Sequence, residues 1–168
     1  MDQSSSLGPP RVESHGRFLL AGYRRRYPLG RDLSWIMESV HCQWLSFLPR
    51  KREPVLALGT DTYGVCLRIT EGDVAFDYFC GVRVAEARDL PEGFVTLEVP
   101  PHHYAVFRHD GAKSELLTSY LRIFGELMPE AGLTHAGEGA PEFVEHFDSA
   151  YDLATLSGGP EIMVPVKA

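Results

Sequence analysis

The order of local signals along this chain runs strand, helix, strand, strand, and then runs through the same series again. The first series opens with Phe18-Leu19-Leu20-Ala21-Gly22-Tyr23 and turns at Tyr27-Pro28-Leu29-Gly30. Asp32 is placed as an N-cap, and Leu33, Ile36, Met37, Val40, Trp44, Leu45 and Leu48 then recur at helical spacing until Pro49. Strands over 63–69 and 76–84 follow, with Glu71-Gly72-Asp73 between them as a hairpin signal. A loop at Asp89-Leu90-Pro91-Glu92-Gly93 leads to a strand over 94–99 that meets Pro100-Pro101. The second series begins with Tyr104-Ala105-Val106-Phe107-Arg108. Its helix starts near Lys113 or Ser114, carries a stripe of Leu116, Leu117, Tyr120, Leu121, Phe124, Leu127 and Met128, and stops at Pro129. A strand through 141–148 and, after the turn Ser157-Gly158-Gly159-Pro160, a last strand over 161–166 complete it. Pro165 suits an edge or a strand end.

Two such series imply duplicated βαββ units, although identity between the halves is negligible and the inference rests on the order of elements. The fold class is α+β: one antiparallel sheet with both helices on one face. The natural pocket in that arrangement lies between the halves, bounded by the helices and the sheet.

At 168 residues, 44% of them hydrophobic, the chain can build one core. Residues 1–16, Ser, Gly and Pro rich at their start, are expected to form a disordered N-terminal tail ahead of a domain over 17–168. The start lacks a basic, apolar export signal and no apolar run is long enough to span a bilayer, so a soluble cytoplasmic protein with no membrane partner is expected. Cys42, Cys66 and Cys80 sit in apolar settings without metal-ligand spacing and read as buried reduced thiols. The formal charge of −7 argues against direct contact with nucleic acid. Arg24-Arg25-Arg26 and Arg50-Lys51-Arg52 read as solvated faces.

One residue breaks the pattern of its element. In the strand through 141–148, period-two alternation puts Phe143, Glu145 and Phe147 on one face, so a carboxylate stands between two aromatic rings on the apolar side. Leaving it buried and unpaired would cost roughly several kcal/mol, so it needs a partner, a shifted pKa or a cationic ligand. Pairing with a nearby Arg is the plain alternative. Tyr78 shares a strand face with Phe76, Cys80 and Val82, opposite Asp77, Phe79 and Gly81. Together with Trp35, Trp44, Tyr63, Tyr104, Tyr120 and Phe147 it supplies rings for a cage around a hydrophobic cation. A hydrolytic alternative makes Glu145 a general base on water, with Tyr78 or Tyr104 as proton donor. His102 and His103 diverge along an extended segment, and His109 and His146 are expected at the surface. No metal, nucleotide or dinucleotide motif is present, so no cofactor is expected.

The series Tyr63-Gly64-Val65-Cys66, 76–84, Leu90-Pro91-Glu92-Gly93, Tyr104 to Gly111 and Ile162 to Lys167 resembles the GyrI-like small-molecule-binding family. This is also the effector-binding domain of AraC-type and multidrug-sensing regulators. The resemblance covers roughly Phe18 to Lys167. It implies a duplicated, SOUL-like βαββ fold with a pocket between the halves and an acidic residue facing cationic aromatic ligands. That acid maps onto Glu145, while Phe147 stands where the family pattern has Tyr, which removes a hydroxyl and keeps a ring. Regulatory members carry a DNA-binding helix-turn-helix in the same chain. With no room for one before the first strand, this chain is expected to be a stand-alone domain that senses or sequesters its ligand. The family also includes hydrolases that open strained rings of DNA-alkylating compounds and members that act on a topoisomerase, which keeps an enzyme and a protein-binding module as alternatives.

Overall fold

A computed structural model of the chain describes residues 7, 9–68, 75–109, 115–148 and 160–168. The elements are β1 (Arg11–His15), β2 (Phe18–Pro28), α1 (Leu33–Phe47) with a 3-10 turn (Leu48–Arg50), β3 (Ala57–Arg68), β4 (Ala75–Val84), β5 (Val95–Val99), β6 (His102–Arg108), α2 (Leu116–Arg122), a π-helical turn (Ile123–Leu127), α3 (Met128–Glu130), β7 (Phe143–Phe147) and β8 (Glu161–Val166).

All pairings are antiparallel, in a single eight-stranded sheet of order β1-β6-β8-β7-β3-β4-β2-β5. The duplication is explicit in that order. β2-α1-β3-β4 gives the neighbours β2-β4-β3, β6-α2-β7-β8 gives β6-β8-β7, and the halves join where β3 pairs with β7. The remaining strands are exchanged: β1 pairs with β6 of the second half and β5 with β2 of the first.

This exchange forces the sheet to curl. In a flat sheet of that order β1 and β2 would stand about 29 Å apart, yet Gly16 and Arg17 alone connect them, a reach of about 11 Å. Pro100 and Pro101 impose the same limit between β5 and β6. The enclosed face carries Phe18, Leu20, Val65, Phe79, Val99, Tyr104, Val106, Val144 and Met163, a cluster to which no helix contributes and which the curl itself keeps dry. On the other face α1 covers one core, with Trp44 and Phe47 against Tyr78, Cys80, Val82 and Phe147. α2 and the turns after it cover a second, with Leu116, Ile123 and Met128 against Phe107, Ile162 and Val164. Both helices thus lie on one face, as the pattern of elements predicts.

Local chemistry explains the main elements. Asp32 caps α1, its carboxylate accepting from the Ser34 N–H at 3.3 Å. Fully buried Gln43 bolts α1 to the sheet: its amide donates to the carbonyls of Tyr23 and Tyr78 and its oxygen accepts from the Tyr27 hydroxyl at 2.6 Å.

Several expectations need correction. Arg11–His15, assigned to the tail, form β1, because β6 offers them a free edge that only the long-range topology brings near. The earliest tail residues, the hairpin signal at 71–73, the expected start of the second helix and the turn at 157–159 lie outside the described residues. Pro129 does not end the helical path. The preceding turn widens, the Met128 N–H reaching back to the Ile123 carbonyl, and α3 continues through the proline. Cys42 is exposed, unlike the thiols of Cys80 and of the half-buried residue Cys66, both of which are buried. His109 is fully buried, its Nδ1 2.8 Å from the Ser119 hydroxyl, rather than at the surface. Arg24 and Arg26 are not merely solvated: both grip the buried carboxylate of Asp77. Pro165 sits at a strand end on its β7 side, since the pairing of β8 with β7 stops at Met163.

Candidate functional site

Glu145 occupies the centre of β7, at the seam where the two halves join, paired across the ladder with Gly64 on β3 and Ile162 on β8. It is 6% exposed. Its face is the helix-bearing one. Phe147, two residues on, belongs to the α1 core, and Phe143, two residues back, packs against the α2 core, so the carboxylate stands between the two cores.

Each carboxylate oxygen accepts a hydrogen bond from a phenol. Tyr78 on β4 donates to Oε1 at 2.6 Å, and Tyr120 on α2 donates to Oε2 at 2.6 Å. The indole of Trp44 on α1 donates to the Tyr78 oxygen at 3.0 Å. An indole N–H can only donate, so it takes a lone pair of Tyr78 and leaves the single phenol proton for Glu145. Gly64 makes room for this contact. A Cβ there would fall 2.0 Å from the Tyr78 hydroxyl and 2.8 Å from Glu145 Oε1, so no other residue fits beneath the pair.

Burial, reinforced by the charge and hydrogen bonding of Glu145, pushes both Tyr78 and Tyr120 well above the ordinary phenol value, and both stay protonated donors at neutral pH. Cys66, one pleat along from Gly64 on the same face, has its thiol raised by burial, with Glu142 and Glu145 adding to the effect, which leaves it unreactive as a nucleophile. The walls are aromatic. Trp44 meets Phe147 edge-on at 5.2 Å, Tyr120 stacks on Phe143 at 4.6 Å, and Phe124 lies at 6.5 Å from Phe143 on the outer side. A carboxylate held by neutral hydroxyls among ring faces suits a flat or bulky cation. Among the described residues no group of three or more His, Cys, Asp or Glu is placed to hold a metal ion, and no helix is long and apolar enough to cross a membrane.

Of the candidates named from sequence, Glu145, Tyr78, Tyr120, Trp44 and Phe147 are brought together. Tyr63, Tyr104 and Trp35 are not. Tyr63 is one residue from Gly64 and points to the opposite face, where it stacks on His146 at 4.8 Å. Tyr104 is fully buried inside the curl, its hydroxyl without a hydrogen-bond partner and its pKa pushed up to about 12 by burial. It therefore cannot serve as a donor beside Glu145. Trp35 is 41% exposed under the Arg31 guanidinium, half a helical turn out of phase with Trp44 at about 100° per residue. Gly64 is the participant that sequence reasoning missed, whereas period two had already set Phe143 beside Glu145. A glycine inside a strand pattern is the one available sign for Gly64.

A family model described as the GyrI-like small molecule binding domain matches residues 9–167. The transcriptional regulator BrlR of Pseudomonas aeruginosa is 35% identical over 91 residues, a stretch covering 54% of this chain and 33% of that regulator. Among solved structures, SAV2435 bound to tetraphenylphosphonium superposes with a TM-score of 0.69 at 19% identity, covering 96% of this chain and 95% of that one. An integron cassette protein from the mobile metagenome of Vibrio cholerae gives 0.69 at 15% identity, covering 96% and 97%. EcmrR in a complex with DNA gives 0.64 at 15%, covering 94% of this chain and 57% of EcmrR. At such identities the structural likenesses carry the fold alone.

Proposed function

Because this chain belongs to the GyrI-like small-molecule-binding family, we propose that it senses or sequesters hydrophobic cations, with Glu145 as the counter-charge and Trp44, Tyr78, Tyr120, Phe143 and Phe147 as walls. One observation carries the reading: a nearly buried carboxylate at the seam of the two halves, each oxygen held by a phenol. Such a group is costly to bury and offers a cation an attraction that water does not screen. The tetraphenylphosphonium bound by SAV2435 is a ligand of that chemical class on the same fold. The test is a fluorescence titration with a cationic aromatic dye and its neutral analogue, on the parent and on Glu145→Gln. The variant is expected to fold, to weaken the cation by at least about tenfold, roughly 1.4 kcal/mol, and to leave the neutral analogue nearly unchanged. Equal loss for both would remove Glu145 from the recognition.

A second reading is supported by the 2.6 Å contact between Tyr78 and Glu145. A carboxylate that accepts a proton from water beside a phenol that gives one up is the pairing needed to open a strained ring hydrolytically. Mass spectrometry of a strained-ring electrophile after incubation decides it. Turnover that vanishes in both Glu145→Gln and Tyr78→Phe supports the enzyme, and an unchanged probe leaves binding alone.

A further inference from the structure

β2 is longer than the strand that covers it. β5 pairs with it only from Phe18 to Gly22, whereas β4 follows its other side as far as Pro28. From Tyr23 to Tyr27, therefore, one edge of β2 meets no strand among the described residues. An open groove of about 750 Å³ lies along that edge, bounded by Tyr23, Arg24, Arg25, Arg26, Val95 and Thr96. It is separate from Glu145. Arg24 and Arg26 alternate to the face of Asp77, opposite Tyr78, and grip that carboxylate with their side chains still 43% and 66% exposed. Arg25 is exposed on the other side.

The first residue of the second basic run arrives at the same place. Arg50 donates to the Tyr23 hydroxyl at 2.6 Å and to the Glu92 carbonyl at 2.9 Å, and lies over the Phe94 ring at 4.9 Å. Arg24-Arg25-Arg26 and Arg50, apart in sequence, thus meet at one end of a chain whose formal charge is −7, with Arg50 also paired to Glu53 at 2.8 Å.

We propose that the free edge of β2 from Tyr23 to Tyr27 is a docking site for an extended acidic peptide segment of a partner protein, which adds as a further strand beside β5. An uncovered strand edge supplies main-chain donors and acceptors in register, and alternate side chains of the added strand meet Arg24 and Arg26 on one face and Arg25 on the other. The same arginines oppose pairing with a second copy of this chain, since like charges directly opposite one another repel. A nucleic-acid backbone lacks the main-chain N–H and C=O groups that an open strand edge pairs with, so it would gain the charge contacts alone.

The test is fluorescence anisotropy on the full chain with an acetylated, labelled peptide of alternating valine and glutamate, about eight residues long. Comparison probes are the same peptide N-methylated at alternate backbone nitrogens, a valine–lysine peptide and a single-stranded oligothymidylate. The acidic peptide is expected to bind more weakly as salt rises, at least about tenfold tighter than the N-methylated and lysine peptides, and to lose about tenfold in Arg25→Glu. Amide hydrogen exchange from Tyr23 to Tyr27 should slow on binding in the parent, a readout independent of how well the variant folds. Equal binding of the N-methylated peptide reduces the site to charge alone and overturns strand addition. Tighter binding of the oligonucleotide, self-association that occludes the edge, or failure of the acidic peptide to bind equally overturns the proposal.

Discussion

A single missing carbon sets up the candidate site. Because a Cβ on Gly64 would lie 2.0 Å from the Tyr78 hydroxyl, Gly64→Ala must push Tyr78 off Glu145 or spread β3 from its neighbours. Overpacking of this kind costs about 1–3 kcal/mol, readable as a lowered denaturation midpoint, and the cation affinity should fall with it. The phenols offer a second check. Their folded pKa values are raised above the ordinary 10.0, so their contribution to stability is whole below pH 10 and is lost as pH climbs beyond it. The parent should therefore lose stability more steeply above pH 10 than a Tyr78→Phe, Tyr120→Phe double variant; parallel curves in alkaline denaturation would contradict the assigned shifts. Glu145 was legible in the sequence because period two set an acid among rings. Gly64 was not, since nothing near it in sequence announces a hydroxyl arriving from the adjacent strand. The choice between Trp35 and Trp44 was legible in principle: only Trp44 falls on the buried stripe of its helix.

At the level of elements, α1 is held at two points of unequal strength. Asp32→Ala removes an exposed cap and should cost about 1 kcal/mol. Gln43→Leu should cost more, about 1–3 kcal/mol for each group left dry, because the Tyr23 and Tyr78 carbonyls lose the Gln43 donor at a fully buried position and the Tyr27 hydroxyl keeps only its 3.4 Å contact with the Ser39 carbonyl. Urea denaturation of the two variants side by side measures the difference. The helices and central strands could be anticipated from the sequence, since their apolar spacing is strong and α1 begins at a good capping residue. β1 could not be: Arg11-Val12-Glu13-Ser14-His15 shows almost no apolar alternation, and what makes it a strand is the distant edge of β6. The continuation of the helical path past Pro129 was equally hidden, because a widened turn has no signature of its own.

Across the whole molecule, the exchanged strands bind the halves together. Removing residues 1–16 should lower stability and promote association, since it strips β6 of its outer partner along five paired positions, Arg11 to His15. A thermal melt with light scattering would show both effects, and an unchanged melt would mean that β1 contributes nothing. An acid limit comes from Asp77. Burial raises its pKa, but hydrogen bonds from Arg26 and Arg24 outweigh that and hold it below 3.8, so its contribution is present above that pH and lost as pH falls through the lower folded value. Asp77→Asn should flatten the acid limb of the stability curve.

The exchange of leading strands also governs how the protein is made. When β1 leaves the ribosome its partner β6 has not been synthesised, and about 5 to 20 s of translation separate them at ordinary rates. A nascent chain ending before His102 holds β1 with nothing to pair with and β2 without β5 wherever synthesis has stopped short of Val95. Neither half can close its part of the sheet as an isolated fragment, and a stalled or truncated product offers bare strand edges that a chaperone must shield.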